Sequence, residues 1–250
     1  MDFTVKKPSH LFALVALLGS LLLFIGYPLL SIFLSSDIPT LYPQSITPFQ
    51  KLTIEVFLLF FQLLFVFIGL ILVPLLWYAL VNHYSVSEIF QRLKLRREGL
   101  DRAILWGIVA IAIAFAISMI IGLIYLFLTK TNPSTVSNIP DLMELFSVPS
   151  LYILVTLQPF CEEFFFRGFL LEKITAVRGP VAAVIITSVF FGISHLSYTY
   201  AYTAIIATIL GVLFALVVLK TKNLYSAIFA HTIINVASLT LFFFGKSFGM

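Results

Sequence analysis

The chain has 250 residues, of which 61% are apolar and only 10% charged, and its mean hydropathy is +1.10. Soluble domains carry about 25% charged residues, so a soluble class is excluded and a polytopic, all-α membrane bundle is expected. The net charge of +4 does not point to nucleic acid, because the basic residues sit between apolar segments and no basic run interleaves with aromatics on a polar face.

Seven spans, with their connectors, follow in chain order. Lys6 and Lys7 precede an apolar stretch over 11–34 and so mimic a signal peptide. That stretch is long enough to cross a bilayer and lacks a small-x-small cleavage site, so it is read as an uncleaved first span. A Pro/Ser/Thr-rich loop over 35–50 follows. The second span, 52–81, exceeds what a bilayer needs and must tilt, kink at Pro74 or project. Residues 82–102 form a strongly charged loop with Arg92, Lys94, Arg96, Arg97 and Arg102. The third span is 103–128, and a polar connector over 129–148 carries Asn132, Pro133, Asp141 and Glu144. The fourth span is 149–171, and a turn with Lys173, Arg178, Gly179 and Pro180 leads to the fifth, 181–197. Tyr198 to Tyr202 make an uncharged turn whose tyrosines suit the headgroup level. The sixth span is 201–219, and the seventh, 224–244, follows Lys220 and Lys222. An eighth helix arises only if the second span splits or a segment re-enters the bilayer. The organisation expected is N-terminal transmembrane helices over 1–148 and a catalytic helical core over 149–250.

Lys and Arg bias sets orientation. With the N-terminus cytoplasmic, eleven of the fifteen Lys and Arg residues fall in cytoplasmic segments and three, Lys51, Lys130 and Lys246, fall outside; Arg167 is the remaining one. An odd span count then puts the C-terminus on the other side.

The costly residues lie in the fourth span, in Gln158-Pro159-Phe160-Cys161-Glu162-Glu163-Phe164-Phe165-Phe166-Arg167. Each charge at membrane depth costs at least about 2.5–3.5 kcal/mol, so each needs a partner or a hydrated cavity. Glu163 and Arg167 are spaced i,i+4 and share a helix face as an ion pair. Glu162 is rotated about 100° from Glu163 and has no cationic partner on its own helix. Pro159 removes a helix hydrogen bond three residues earlier, and a kink there would open space beside the carboxylates. In the fifth span Phe191 and His195 are again i,i+4, so the ring restricts the histidine. In the seventh, His231 and Asn235 share the same spacing and point into one cavity. Structural readings exist for each: an interfacial histidine, interhelical hydrogen bonds, a scaffold ion pair. Glu55 and Gln62 read as a helix-end group and a packing contact, and His10, His83 and Tyr84 as interfacial residues.

A carboxylate with a histidine can hold and deprotonate a water, while a second histidine and an asparagine amide can donate to an oxyanion. That set supports peptide-bond hydrolysis without a covalent intermediate. The same Glu162, His195 and His231 could instead hold zinc, with one position left for water, although no His-Glu-x-x-His is present. A covalent route through Cys161, Ser188 or Ser194 ranks third, because neither the thiol nor the hydroxyls have a base held by an orienting group. The lone Cys161 also excludes an intrachain disulfide and a cysteine-rich metal site.

The three pairs, in this order on successive apolar segments, resemble the CPBP intramembrane endopeptidases. That family includes type II CAAX prenyl proteases and the bacterial Abi and bacteriocin-immunity proteins. Its Glu-Glu-x-x-x-Arg, Phe-x-x-x-His and His-x-x-x-Asn motifs are matched by Glu162, Glu163 and Arg167, by Phe191 and His195, and by His231 and Asn235. The resemblance covers 149–244 and implies a membrane protease in which Glu162 and His195 activate water and His231 and Asn235 stabilise the oxyanion. Glu163, Arg167 and Phe191 would orient the site. It also implies a peptide or lipidated-peptide substrate reaching a cytoplasm-facing cavity, and an integral protein of a prokaryotic plasma membrane. Members are often labelled metalloproteases; the preferred reading requires no cofactor, with zinc as the alternative. The competing functions are a non-catalytic immunity or binding protein of the same fold and a proton-coupled transporter using Glu162 and the histidines as a relay. One difficulty is depth. With the fourth span ending at 171, Glu162 lies about 14 Å from the basic face and His195 about 21 Å, so the two meet only if the fifth span tilts or starts deeper.

Overall fold

The computed structural model describes residues 3–31, 47–130, 139–196 and 201–247. Asn132, Pro133, Tyr198 and most of the 35–50 loop lie outside the described residues. The described chain is helical: α1 (Pro8–Leu21), α2 (Tyr27–Ser31), α3 (Pro48–Phe67), α4 (Val73–Leu80), α5 (Val86–Arg92), α6 (Leu100–Thr129), α7 (Ile139–Leu145), α8 (Val148–Glu163), α9 (Leu171–Ile193), α10 (Ala201–Thr221) and α11 (Tyr225–Ser247). Among the described residues, six helices are long and apolar enough to cross a membrane. One of them, Val148–Ile193, contains both the fourth and fifth expected spans, because it is broken at Gly179 (φ 81°, ψ 169°). That backbone conformation is open to glycine alone, and Pro180 then starts the return arm with its φ preset.

The break resolves the depth difficulty. The first arm does not end at 171 but continues to Arg178. Glu162 therefore lies seventeen residues, roughly 25 Å, before Gly179, and His195 sixteen residues, roughly 24 Å, after it. The hairpin tip projects past the level of the neighbouring turns on the same face, where Leu93 and Leu224 pack on Gly168.

Proline placement explains two wide turns. Leu22–Gly26 and Ile68–Leu72 are π-helical, and each ends two residues before a proline, Pro28 or Pro74. A proline ring clashes with the carbonyl four residues back. The wide turn lets Tyr27 and Val73 bond five residues back instead, to Leu22 and Ile68. The long second span is thus a π-bulged helix over α3 and α4, and Gly69 inside the bulge seats α1. Ser20 Oγ donates to the Gly69 carbonyl at 2.9 Å. A third π segment, Phe164–Leu170, has no proline after it. The irregularity expected at Pro159 is here instead: α8 runs through Pro159 as α-helix.

Capping sets where α3 and α5 begin. Thr47 with Gln50, and Ser85 with Glu88, form reciprocal capping boxes. The start of α8 is held from another helix. Glu55 of α3, only 6% exposed, accepts from the Ser147 backbone N–H at 2.8 Å and from the Ser147 and Ser150 hydroxyls, both at 2.5 Å. Glu55 is therefore not a solvated helix-end group but the anchor that fixes the start of α8. On the basic face, Leu224 N–H donates to the Lys94 carbonyl at 2.9 Å and Asn223 Nδ2 to the Arg96 carbonyl at 3.0 Å, so the turn before α11 is laced to the charged loop.

Candidate active site

α8 ends on Glu162 and Glu163, and the following π segment places Arg167. Glu163 and Arg167 are both fully buried, with Arg167 Nη1 3.0 Å from Glu163 Oε1. The guanidinium lies 4.0 Å from the Phe191 ring centroid, with Phe166 and Phe214 at 5.7 and 5.6 Å. Arg167 Nε and Nη2 have no protein acceptor among the described residues. One ion pair and three ring faces therefore carry the cost of burying this charge. Gly211 makes room for it, since a Cβ there would approach Arg167 Nη2 to 3.1 Å.

The scaffold ion pair has a third member. His231 Nδ1 lies 2.9 Å from the same Glu163 Oε1, which accepts from it. His195 Nδ1 likewise donates to the Phe191 carbonyl at 2.8 Å. With Nδ1 committed on both rings, both Nε2 atoms turn to one point. That point is Glu162 Oε2, 3.9 Å from His195 Nε2 and 3.8 Å from His231 Nε2. The other carboxylate oxygen, Oε1, accepts from Gln158 Nε2 at 2.7 Å. Phe191 touches all three cationic or titratable partners: Arg167, His195 at 4.5 Å and His231 at 5.5 Å between ring centroids.

Glu162 and His195 open into a cavity of about 540 Å³, which Asn235 also lines. Its other lining residues include Gln62, Gln158, Ser238 and apolar side chains from α3, α7, α8 and α11. Glu162, His195, His231 and Asn235 are thus gathered in one region, while Cys161 and Ser188 do not line this cavity. Pro159 and Val155 do, so the carbonyl that the proline leaves free lies beside it.

Among the cavity residues, Gln158 and Ser238 had no role in the sequence reading, and Gln62 was read there as a packing contact. Gln158 had a usable signal, since it stands i,i+4 to Glu162. Ser238 stands two turns beyond His231 on the same face. Gln62 had none, as its neighbours come from a helix about a hundred residues away in sequence.

Zinc is the alternative use of the same three donors, Glu162, His195 and His231. Two ligands on a tetrahedral zinc, each at about 2.05 Å, lie roughly 3.3 Å apart, closer than the 3.8 and 3.9 Å found here. Among the described residues no group of three His, Cys, Asp or Glu has metal-holding geometry. The residues as arranged do not fit a zinc ion.

Fold and site together define a multi-pass helical membrane protein with a buried acid–histidine centre. Residues 144–237 match the family model "Type II CAAX prenyl endopeptidase Rce1-like". A Bacillus subtilis (strain 168) protein named "Putative membrane peptidase YdiL" is 30% identical over 145 residues, which is 56% of this chain and 57% of that protein. The chain thus aligns with little more than half the length of this curated relative. No solved structure matches the chain.

Proposed function

We propose that the protein is an intramembrane endopeptidase that hydrolyses a peptide bond with a water activated by Glu162, within a catalytic core over 149–250. The observation that carries this reading is the meeting of Glu162 Oε2 with two histidine Nε2 atoms at 3.9 and 3.8 Å. These gaps are too long for direct hydrogen bonds and suit one bridging water. A water about 2.8 Å from both Glu162 Oε2 and His195 Nε2 subtends roughly 90°, near its own bond angle, so it donates one O–H to each.

The water oxygen attacks the scissile carbonyl carbon as Glu162 takes its proton. The carbonyl oxygen becomes an oxyanion and accepts from Asn235 Nδ2 and from His231 Nε2–H in the protonated ring, which Glu163 stabilises at Nδ1. Collapse breaks the C–N bond, and the proton held on Glu162 goes to the leaving amine. Gln158 fixes the Glu162 rotamer so that Oε2 faces the water. Arg167 and Phe191 hold Glu163 and both histidines in place. The substrate class is a peptide, in keeping with the family.

The test is cleavage by the purified Glu162→Gln variant. Activity should fall by about a thousandfold, within the usual range for loss of a general base, with the unfolding temperature close to wild type. Full activity in the folded variant would end this reading. Unchanged turnover after chelation is also expected, and metal-dependent recovery after chelation would replace the water-only scheme.

A further inference from the structure

Two directions lead to Glu162. On the basic face, Gly168 lies only six residues away, about 9 Å along the helix. That short path is filled. Phe165, Phe166 and Phe169 are 0%, 1% and 0% exposed, and Leu93 and Leu224, which close on Gly168, are 1% and 0% exposed. The hydrogen bonds from Leu224 and Asn223 to the Lys94 and Arg96 carbonyls tie this floor together.

In the other direction there is space. The 540 Å³ cavity runs from Glu162 and His195 past Leu154 and Leu151 to Phe146 and Leu142. These last residues sit at the start of α8 and on α7, at the end of the bundle where α3 and α8 begin and α6 ends. That is the end opposite the charged 93–99 loop. The chemistry of the wall is equally one-sided. Among the described residues, Glu162 is the one carboxylate lining it, and no Lys or Arg does. Away from Glu162, a charged substrate side chain would lose its hydration there without a charged partner among the described residues, at a cost of several kcal/mol.

We infer, building on the peptidase reading, that the substrate reaches Glu162 from the face opposite the basic loops, as an uncharged, apolar stretch of polypeptide. Because basic loops stay in the cytoplasm, that face is the non-cytoplasmic one. The cytoplasm-facing entry expected by family resemblance is then reversed.

Thiol labelling decides the face without any need for turnover. In a Cys161→Ser background, Ser238→Cys places a thiol on the cavity wall and Arg97→Cys one on the basic loop. A membrane-impermeant maleimide added to intact cells should label Ser238→Cys and spare Arg97→Cys, with the reverse in inverted vesicles. Labelling of Ser238→Cys only from the Arg97→Cys side, or from neither side, overturns the inference. Leu142→Cys replaces Ser238→Cys should the latter fail to fold.

The substrate class is read separately, by incubating purified wild-type protein with a mixture of random decapeptides and locating cleavage by mass spectrometry. Uncharged apolar residues should flank the cut on both sides, and frequent Lys, Arg, Asp or Glu next to it overturns that part. A wild-type protein that cuts none of the peptides counts against the peptidase reading, while the labelling still settles which face the cavity opens on.

Discussion

Glu162 and Glu163 are chain neighbours with separate tasks, and the separation can be measured. Glu163 Oε1 serves both Arg167 and His231, so removing its charge strands a guanidinium that is 0% exposed. Breaking a buried pair from one side costs about 3–5 kcal/mol. Glu163→Gln should therefore lower the unfolding temperature in detergent sharply, whereas Glu162→Gln should not. The double variant Glu163→Gln, Arg167→Met should recover much of the loss, because it removes the stranded charge as well. A double variant as unstable as the single one would show that Arg167 is not the cause. Gln158 tests the finer point. Its 2.7 Å bond to Glu162 Oε1 aims the other oxygen, so Gln158→Leu should lower kcat by about tenfold, the worth of one orienting hydrogen bond. KM and stability should stay near wild type; an unchanged kcat would remove Gln158 from the site.

The helices meet where side chains are missing. Gly192 of α9 lies against α10, and a Cβ there would stand 1.8 Å from Thr208 Oγ1 and 2.8 Å from the Ala204 carbonyl. Gly192→Ala must push the two helices apart, and overpacking of this kind costs about 1–3 kcal/mol. Because Gly192 sits between Phe191 and His195, the same change should also lower kcat while Glu162 is intact. Loss of stability with full kcat would show that the histidine is held from elsewhere. How much of this was legible in the sequence depends on the range of the interaction. The i,i+4 pairs were readable because a helix fixes their geometry alone. The Glu163–His231 bond, 68 residues apart in sequence, was not, because only packing of α8 on α11 creates it. The Ser85-x-x-Glu88 capping box was present to be read within a stretch taken as loop. The wide turn at Phe164–Leu170 has no proline to announce it, and the true length of the hairpin arms depended on a single glycine.

At the scale of the whole molecule, the described parts of the apolar segments are helical, and six helices are long and apolar enough to cross a membrane, one of them folded back into the hairpin that carries Glu162 and His195. Composition and hydropathy were enough to place these segments, since apolar length is a local property. The direction of the cavity was not, since it depends on which aromatic rings fill one end of the bundle. Those rings have an electrical consequence. In water, added salt weakens an ion pair because mobile ions gather around it, and the screening length falls from about 30 Å at 0.01 M to about 3 Å at 1 M. Phe165, Phe166 and Phe169, with Phe191 and Phe214 around the guanidinium, leave no room for a counterion beside Glu163 and Arg167. The stability lost on Glu163→Gln should therefore be the same in dilute and in concentrated salt. A loss that shrinks as salt is added would mean that ions reach the pair. The phenylalanines thus act as an insulator as well as a wall, so the field holding His231 is set by the protein and not by the medium.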